Sequence, residues 1–511
     1  MGGLGNGEGG ENHTMMNLTA GIKEHGQRAE EALMLEFQQS HKQDVLRPRY
    51  AYALSALEKS EALRLIMTIK EKRSGKIKGR GCADGRKLRT KIASEDATSP
   101  TVTREAFLIS CAIDSKEKRF VATCDVPGAY LHCEMDELCY VLLEGVLVDL
   151  YLKVNPAAED MVSIGGNGKK RLYTKMNKAL YGHMRSGRLF WEHISVKLVS
   201  LGFKSNPDDL CVMNKIVGED QFTVVLHVDD LKLSFATEGG IDEVLDELRK
   251  ESGNLEVQKG KLLEYLGLTL DYRTDGVVKI DTSSYIQKAL DGYGVELKGK
   301  AKTPAADDHF TVRSEAEALN EEEGKKFHSV FALTLWIGSM ARPDILVALI
   351  FLGKRTSKAD MDDKKKIERL LSYLKRTKEM LLTLGVESLQ LVKCWADSSF
   401  AIHEDLRSHT RLLGSLGRGA VFSRSGAQKL NTTSSTEAEV VASSEVLTQA
   451  LWTSSFLMNQ GYAVKNALLL QDNQAAILLQ ENGVLSRRKK SRHIDIRFFF
   501  IKDRISRGRY R

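Results

Sequence analysis

QFTVVLHVDDLKLSF, Gln221 to Phe235, is the stretch whose reading decides the fold. Apolar, largely β-branched residues run from Phe222 to Val228. Beyond the two acids, Leu231, Leu233 and Phe235 alternate with Lys232 and Ser234. A period of two belongs to a half-buried strand, so the stretch is expected to form a β-hairpin with Asp229 and Asp230 between its arms, at the tip. Asp tolerates the backbone angles of a two-residue turn, and turn chemistry alone accounts for the pair. Two carboxylates braced by buried strands on both sides are also a way to present oxygen ligands to Mg²⁺. The hairpin by itself leaves both readings open.

The surrounding chain narrows the choice. Its 511 residues suggest about three or four domains. A hydrophobic content of 42% supplies real cores, and 28% charged residues is ordinary for a globular chain. The net charge of +7 and a pI near 8.8 are compatible with polyanion binding. Basic residues concentrate in Lys70–Lys91 and Ser486–Arg511, acidic ones in Glu30–Glu36, Ile241–Glu251 and Ser314–Glu323. Seven cysteines, an odd number with no CxxC pair, argue against a disulfide framework or a zinc site and for free thiols in a reducing compartment. The opening MGGLGNGEGGENHT has no apolar signal region and, with Asn6, no myristoylation pattern. The most apolar window, Leu333 to Gly353, is interrupted by Arg342, Pro343 and Asp344 and is expected to be a buried helix pair. No membrane partner is expected.

Residues 1–28 are Gly-rich and polar and are expected to be disordered. Thr68 to Lys91 reads as a basic hairpin, either a solvated loop or a phosphate-contacting finger. Phe120 to Cys124 is a short strand ending at Asp125, followed by Pro127-Gly128 and Tyr130, a plausible edge of an active site. Helical pattern resumes at Ser186. After the central hairpin come an amphipathic helix, Ile241–Ser252, strands over Leu262–Tyr272 and Val277–Asp281, and a helix over Ser283–Tyr293. A polar linker then leads into helical sequence, Lys325–Lys378. From Gln390 the alternation restarts, with Asp397 in a strand, a Gly-punctuated meander, and a helix from Ser435 bearing Glu439. A strand-to-helix junction at Asp472 follows, then a basic helix with His493 and Asp495.

DVPGAYL, ALYGHMRSGRLFW and HVDDLKL, in this order, resemble the palm of copia-type LTR retrotransposon reverse transcriptases. RPDI, ERLLSYLKR, CWADSSFA, NTTSSTEAEVVA, QDNQAAI and SRHIDIRFFFIKD resemble the connection and ribonuclease H regions of the same Pol polyproteins. The resemblance runs from about Leu63 to Arg504. It implies an α/β and α+β multidomain chain: a right-hand polymerase followed by a ribonuclease H-like domain. The implied division is fingers and palm over 29–240, a thumb-like part over 241–300, linker and helical connection over 301–388, and the ribonuclease H-like domain over 389–511.

The implied activity is RNA-directed DNA polymerase with ribonuclease H, both two-metal phosphoryl transfers using Mg²⁺, with Mn²⁺ as a substitute. The resemblance assigns Asp125, Asp229 and Asp230 to the polymerase metals, and Asp397, Glu439, Asp472 and Asp495 to the nuclease metals, with Glu437 as runner-up to Glu439. Tyr130 matches the aromatic beneath the sugar, and Arg80, Arg86, Lys87 and Arg89 are candidates for triphosphate or template contacts. Implied partners are an RNA template, a DNA primer, the RNA–DNA hybrid, deoxynucleoside triphosphates and other element-encoded proteins, in cytoplasmic particles or the nucleus. Two positions depart from the family pattern: His227 stands where Tyr or Phe is usual, and Arg185 where Gln is usual. The chain also ends at Arg511, where the family continues, so the expectation is the back half of a polyprotein or a degenerate copy. The alternatives to an active polymerase are a non-catalytic nucleic-acid-binding remnant and a nuclease with an inactive palm.

Overall fold

The computed structural model describes residues 16–71, 77–93, 97–294, 296–482 and 501. Part of the stretch expected to be disordered is ordered: β1 (Met16–Asn17) leads into α1 (Leu18–His25) and α2 (Gln27–Lys42). Asn17 caps α1 by accepting a hydrogen bond from the Ala20 backbone, and Leu18 and Ile22 lie against the core. In α2 the buried Ala29, Ala32, Leu33 and Phe37 share one helical face. That face covers a seven-stranded sheet of β1, β2 (Leu46–Arg49), β3 (Leu63–Glu71), β4 (Ile77–Ala83), β6 (Tyr140–Glu144), β7 (Ser163–Ile164) and β8 (Lys170–Met176). β3 and β4 form the basic hairpin expected from the sequence, in register from Leu65↔Ala83 to Glu71↔Ile77. The short helix α3 (Ala56–Glu61), closed by a capping box between Ser55 and Glu58, lies just before β3.

The second sheet carries the central hairpin. Its order is β13 (Glu256–Lys259), β5 (Phe120–Asp125), β12 (Asp230–Phe235), β11 (Asp220–His227), β10 (Asp209–Val217) and β9 (Lys204–Asn206), and every pairing is antiparallel. Helices α4 (Arg104–Lys116), α6 (Ser186–Ser200) and α7 (Glu238–Ser252) contribute Phe107, Phe190 and Leu245 to its core. The short helix α5 (Val146–Val154) belongs instead to the core of the first sheet. Thr103 caps α4, and its hydroxyl also donates to Asp209 (2.8 Å), which fastens the helix to β10.

The expected strand Leu262–Tyr272 is two strands, β14 (Leu262–Tyr265) and β15 (Leu268–Asp271), joined at Leu266 and Gly267, both with positive φ. They continue through β16 (Val277–Asp281) to β17 (Leu382–Val386) and β20 (Gly417–Arg418), so chain from both sides of the helical segment builds one sheet. That segment comprises α8 (Ser283–Tyr293), α9 (Glu321–Met340), α10 (Leu346–Arg355) and α11 (Met361–Arg376). Arg342, 1% exposed, is its joint. Its guanidinium donates to Asp344 (2.9 and 2.7 Å) and to Thr377 (3.0 and 2.7 Å) and lies over the Tyr373 ring. The RPD break is thus a buried lock between helices. Among the described residues no helix is long and apolar enough to cross a membrane.

A four-stranded sheet completes the chain, in the order β21 (Phe422–Ala427), β19 (His409–Ser415), β18 (Leu391–Ser399), β22 (Asn466–Leu470), with β18 and β22 parallel. The long helix α12 (Ser435–Asn459) covers β18 and β19 with Val440, Val441 and Leu447, and α13 (Gln474–Asn482) follows β22. All seven cysteines are free, in agreement with the sequence reading.

Candidate active site

His227 pairs with Asp230 across the hairpin, which leaves Val228 and Asp229 as the two-residue loop. The acids therefore do not share the tip as expected: Asp229 lies in the turn and Asp230 opens β12. Val228 has φ +56 while Asp229 is not in the positive region, the pattern of a type II′ turn. A β-branched residue there costs about 1–3 kcal/mol, strain that the buried arms sustain.

The register across β12 and β5 sets Asp230 directly opposite Asp125. Side chains opposite each other on paired strands have Cβ atoms about 5 Å apart. The Val126 amide donates to the Asp229 carbonyl (3.2 Å), which holds the turn against the end of β5. Three acidic residues thus lie at one end of the sheet. The Asp230 carboxyl is pushed up to about 7, first by burial and then by the charges of Asp229 and Asp125. Oxygen donors whose mutual repulsion a divalent cation would offset fit Mg²⁺ or Mn²⁺ in chemistry. Among the described residues, however, no group of three or more His, Cys, Asp or Glu is arranged around a metal position.

Tyr130 follows a left-handed Gly128 on a short helical turn and packs against Tyr181 (ring centroids 4.6 Å) and Phe190 (6.3 Å). Arg80, on β4, lies 4.8 Å over the Tyr181 ring. Burial and then the Asp229 charge push the Tyr181 hydroxyl up, so Tyr181 links Arg80 and Tyr130 to the acids. Tyr181, within ALYGHMRSGRLFW, is not among the candidates read from the sequence. Its signal was the adjacent Gly182, at φ +84, where a side chain would strike the Ala83 backbone at the end of β4.

The other basic candidates are engaged elsewhere. Arg86 is bonded to Asp84 (2.7 and 2.6 Å), and the Lys87 ammonium donates to the Ser60 carbonyl (2.9 Å). Arg89 is exposed on the same turn. The His227 ring is held neutral by burial, with Nδ1 making no hydrogen bond. Arg185 is paired with Asp136 (2.5 Å), so its charge is partly neutralised within the protein.

The second acidic group forms where β18 and β22 end. Trp395 pairs with Leu470 in parallel register, so Asp397 and Asp472, each two residues further on, project from neighbouring strand ends. Glu439, 6% exposed, accepts from the Ser398 amide (3.0 Å) and hydroxyl (2.8 Å) with one oxygen and from the Gln471 amide (3.0 Å) with the other. Glu439 thus lies between the strands bearing the two aspartates. Glu437 accepts from Thr433 at the start of α12 (2.7 Å from both amide and hydroxyl), a capping role. Arg411 approaches Asp397 at 3.5 Å. His493 and Asp495 lie outside the described residues.

Residues 56–306, which include all of the second sheet, most of the first and strands β14–β16 of the third, match the family model described as reverse transcriptase (RNA-dependent DNA polymerase). A retrovirus-related Pol polyprotein from transposon TNT 1-94 of Nicotiana tabacum is 24% identical over 437 residues, 84% of this chain and 31% of the polyprotein. The putative transposon Ty5-1 protein of Saccharomyces cerevisiae is 23% identical over 325 residues, 63% of this chain and 99% of its own length. This chain is thus similar to proteins encoded by transposons, and it spans about 31% of the tobacco relative's length. Among solved structures, a foamy viral protease-reverse transcriptase in complex with double-stranded DNA shares the fold at a TM-score of 0.50 and 12% identity, over 95% of this chain and 69% of that one.

Proposed function

We propose that this chain is an RNA-directed DNA polymerase with an attached ribonuclease H, acting in the replication of a retrotransposon. The observation that carries the reading is the register of Asp125 against Asp230, with Asp229 in the turn beside them. Bound there, Mg²⁺ or Mn²⁺ supplies the charge neutralisation that phosphoryl transfer between a primer 3′-hydroxyl and a nucleotide needs. Asp125, Asp229 and Asp230 are the residues that would hold it, with Asp230 in its ionised form. Tyr130, pinned by Tyr181 and Phe190, forms the floor beneath the sugar and excludes a 2′-hydroxyl. Arg80 is kept extended by the Tyr181 ring for a phosphate contact, while Arg86, Lys87 and Arg89 belong to the nucleic-acid path around it. In this reading 29–240 serve as fingers and palm, 241–300 as thumb, 301–388 as linker and connection, and 389–511 as the nuclease.

The nuclease reading rests on Asp397, Glu439 and Asp472 gathering at one strand end, with Asp495 as the fourth ligand from sequence. The partly buried His227, whose surroundings disfavour the charged imidazolium, is compatible with retained polymerase function. The test is primer extension on an RNA template with Mg²⁺, beside hybrid cleavage. Asp229→Asn is expected to lower extension at least about 100-fold and spare cleavage, and Asp472→Asn the reverse. A wild-type chain that extends no primer overturns the polymerase reading, and one that cuts no hybrid overturns the nuclease reading.

A further inference from the structure

Residues 46–54 precede the part of the chain matched by the reverse transcriptase family, yet they build a surface with its own chemistry. The Tyr50 and Tyr52 rings are stacked on each other, with centroids 5.0 Å apart and planes inclined by 22°. Tyr52 is 82% exposed, so this stack ends in open solvent. A large aromatic ring held outward and already stacked has no packing role that accounts for it.

The stack adjoins a cationic sheet face. Register pairs Arg49 with Tyr173 in β8, Tyr173 with Leu142 in β6, and Leu142 with Arg64 in β3, so these four side chains share one face. Leu54 and Ala62 cover Leu142 and Tyr173, which anchors the Tyr50–Leu54 segment to that row. Two residues from Arg64, on the same face of β3, comes Ile66, then Thr68, which pairs with Arg80. The face therefore runs continuously from the tyrosine stack past Arg49 and Arg64 to Arg80, at the Tyr181 ring beside Asp229. Arg49 and Arg64 are both exposed, and Glu144, 3.5 Å from Arg64, is already engaged by Arg171 (2.8 Å).

The geometry points to a stacking platform for single-stranded nucleic acid, the unpaired template strand, with a base resting on Tyr52 and the backbone following Arg49 and Arg64 toward Arg80. Exposed aromatics interleaved with cations bind single strands without regard to sequence, because every base offers a π-face and every linkage a charge. The proposal rests on the reverse transcriptase reading for the identity of the strand, and on Tyr50 and Tyr52 for the site itself.

The test uses the full chain and fluorescence anisotropy with labelled RNA–DNA primer–templates bearing a template overhang of about 2 or about 12 nucleotides, lengths set by the several nucleotides a stacking groove tracks. The wild type is expected to bind the long overhang more tightly. Tyr52→Ala is expected to lose about 5- to 150-fold on the long overhang only, the range for one stacked base, while Tyr52→Trp retains affinity. Arg49→Gln is expected to weaken binding of the long overhang and flatten its salt dependence. Equal affinity of wild type and Tyr52→Ala on the long overhang overturns the platform and leaves the stack to a protein partner, and an equal loss on both substrates overturns it as well, since it marks a fold defect. Failure of the wild type to bind either primer–template instead overturns the reverse transcriptase reading, and an unpaired RNA strand of about 12 nucleotides tests the platform independently.

Discussion

At the scale of single residues, Asp230 concentrates the physics of the site. Its carboxyl moves from 3.8 to about 7 because burial and two neighbouring carboxylates disfavour its charge. The folded chain therefore holds a proton there that the unfolded chain has lost between about pH 4 and pH 7. The stability linked to that proton is complete below the unfolded value and is lost as pH rises through about 7. Without divalent metal, the thermal midpoint of the wild type is expected to fall relative to Asp230→Asn between pH 5 and pH 8. The difference between the two proteins is the readout, because burial holds His183 and His409 near 4, where they titrate in the opposite sense. Mg²⁺ at pH 8 is expected to raise the midpoint of the wild type by more than that of the variant, which keeps only the second acidic group intact. Calorimetric midpoints that track each other across this range in both proteins contradict the account of Asp230.

At the scale of elements, β12 shows what the sequence disclosed and what it withheld. Alternation gave the hairpin arms, because each strand must bury Leu231, Leu233 and Phe235. It suggested that Lys232 and Ser234 face water, yet both are fully buried. Lys232 is paired with Asp114 of α4, which also has Arg119 at 3.8 Å and the Tyr272 hydroxyl at 3.4 Å. These partners come from two segments distant in sequence from β12, so no local pattern could reveal them. The turn position of Val228 was hidden for a related reason: the register is set by β5, whose Asp125 must meet Asp230. Asp397, Glu439 and Asp472 were visible as motifs, but the tie from Gln471 to Glu439 appears only when β22 lies parallel to β18. Burial of the Lys232–Asp114 pair carries a prediction. Lys232→Met strands Asp114 and is expected to cost about 3–5 kcal/mol in urea unfolding, whereas Lys232→Met with Asp114→Leu recovers most of that loss. A single variant as stable as wild type would show that the pair is not held as described.

At the scale of the whole molecule, the two acidic groups belong to parts that share one apolar core, from Phe107 and Leu233 under the six-stranded sheet to Phe422 and Phe456 near the four-stranded sheet. Polar ties reinforce it. The Tyr462 hydroxyl donates to Glu117 (2.7 Å), Asn206 donates to the Phe456 carbonyl (3.1 Å), and Asn459 donates to Asp208 (2.7 Å). Arg104 reaches both the Ser339 carbonyl (2.8 Å) and the Ser423 carbonyl (2.7 Å), joining α4 to the helical segment and to the four-stranded sheet. Cutting the chain would expose this shared core, so the sites are best separated by isosteric substitutions in the full chain. The most direct measurement is single-nucleotide incorporation on an RNA template by wild type, Asp125→Asn and Asp397→Asn. Incorporation by wild type and Asp397→Asn is expected at similar rates, with a loss of at least about 100-fold in Asp125→Asn. Equal rates in Asp125→Asn and wild type would contradict the polymerase reading.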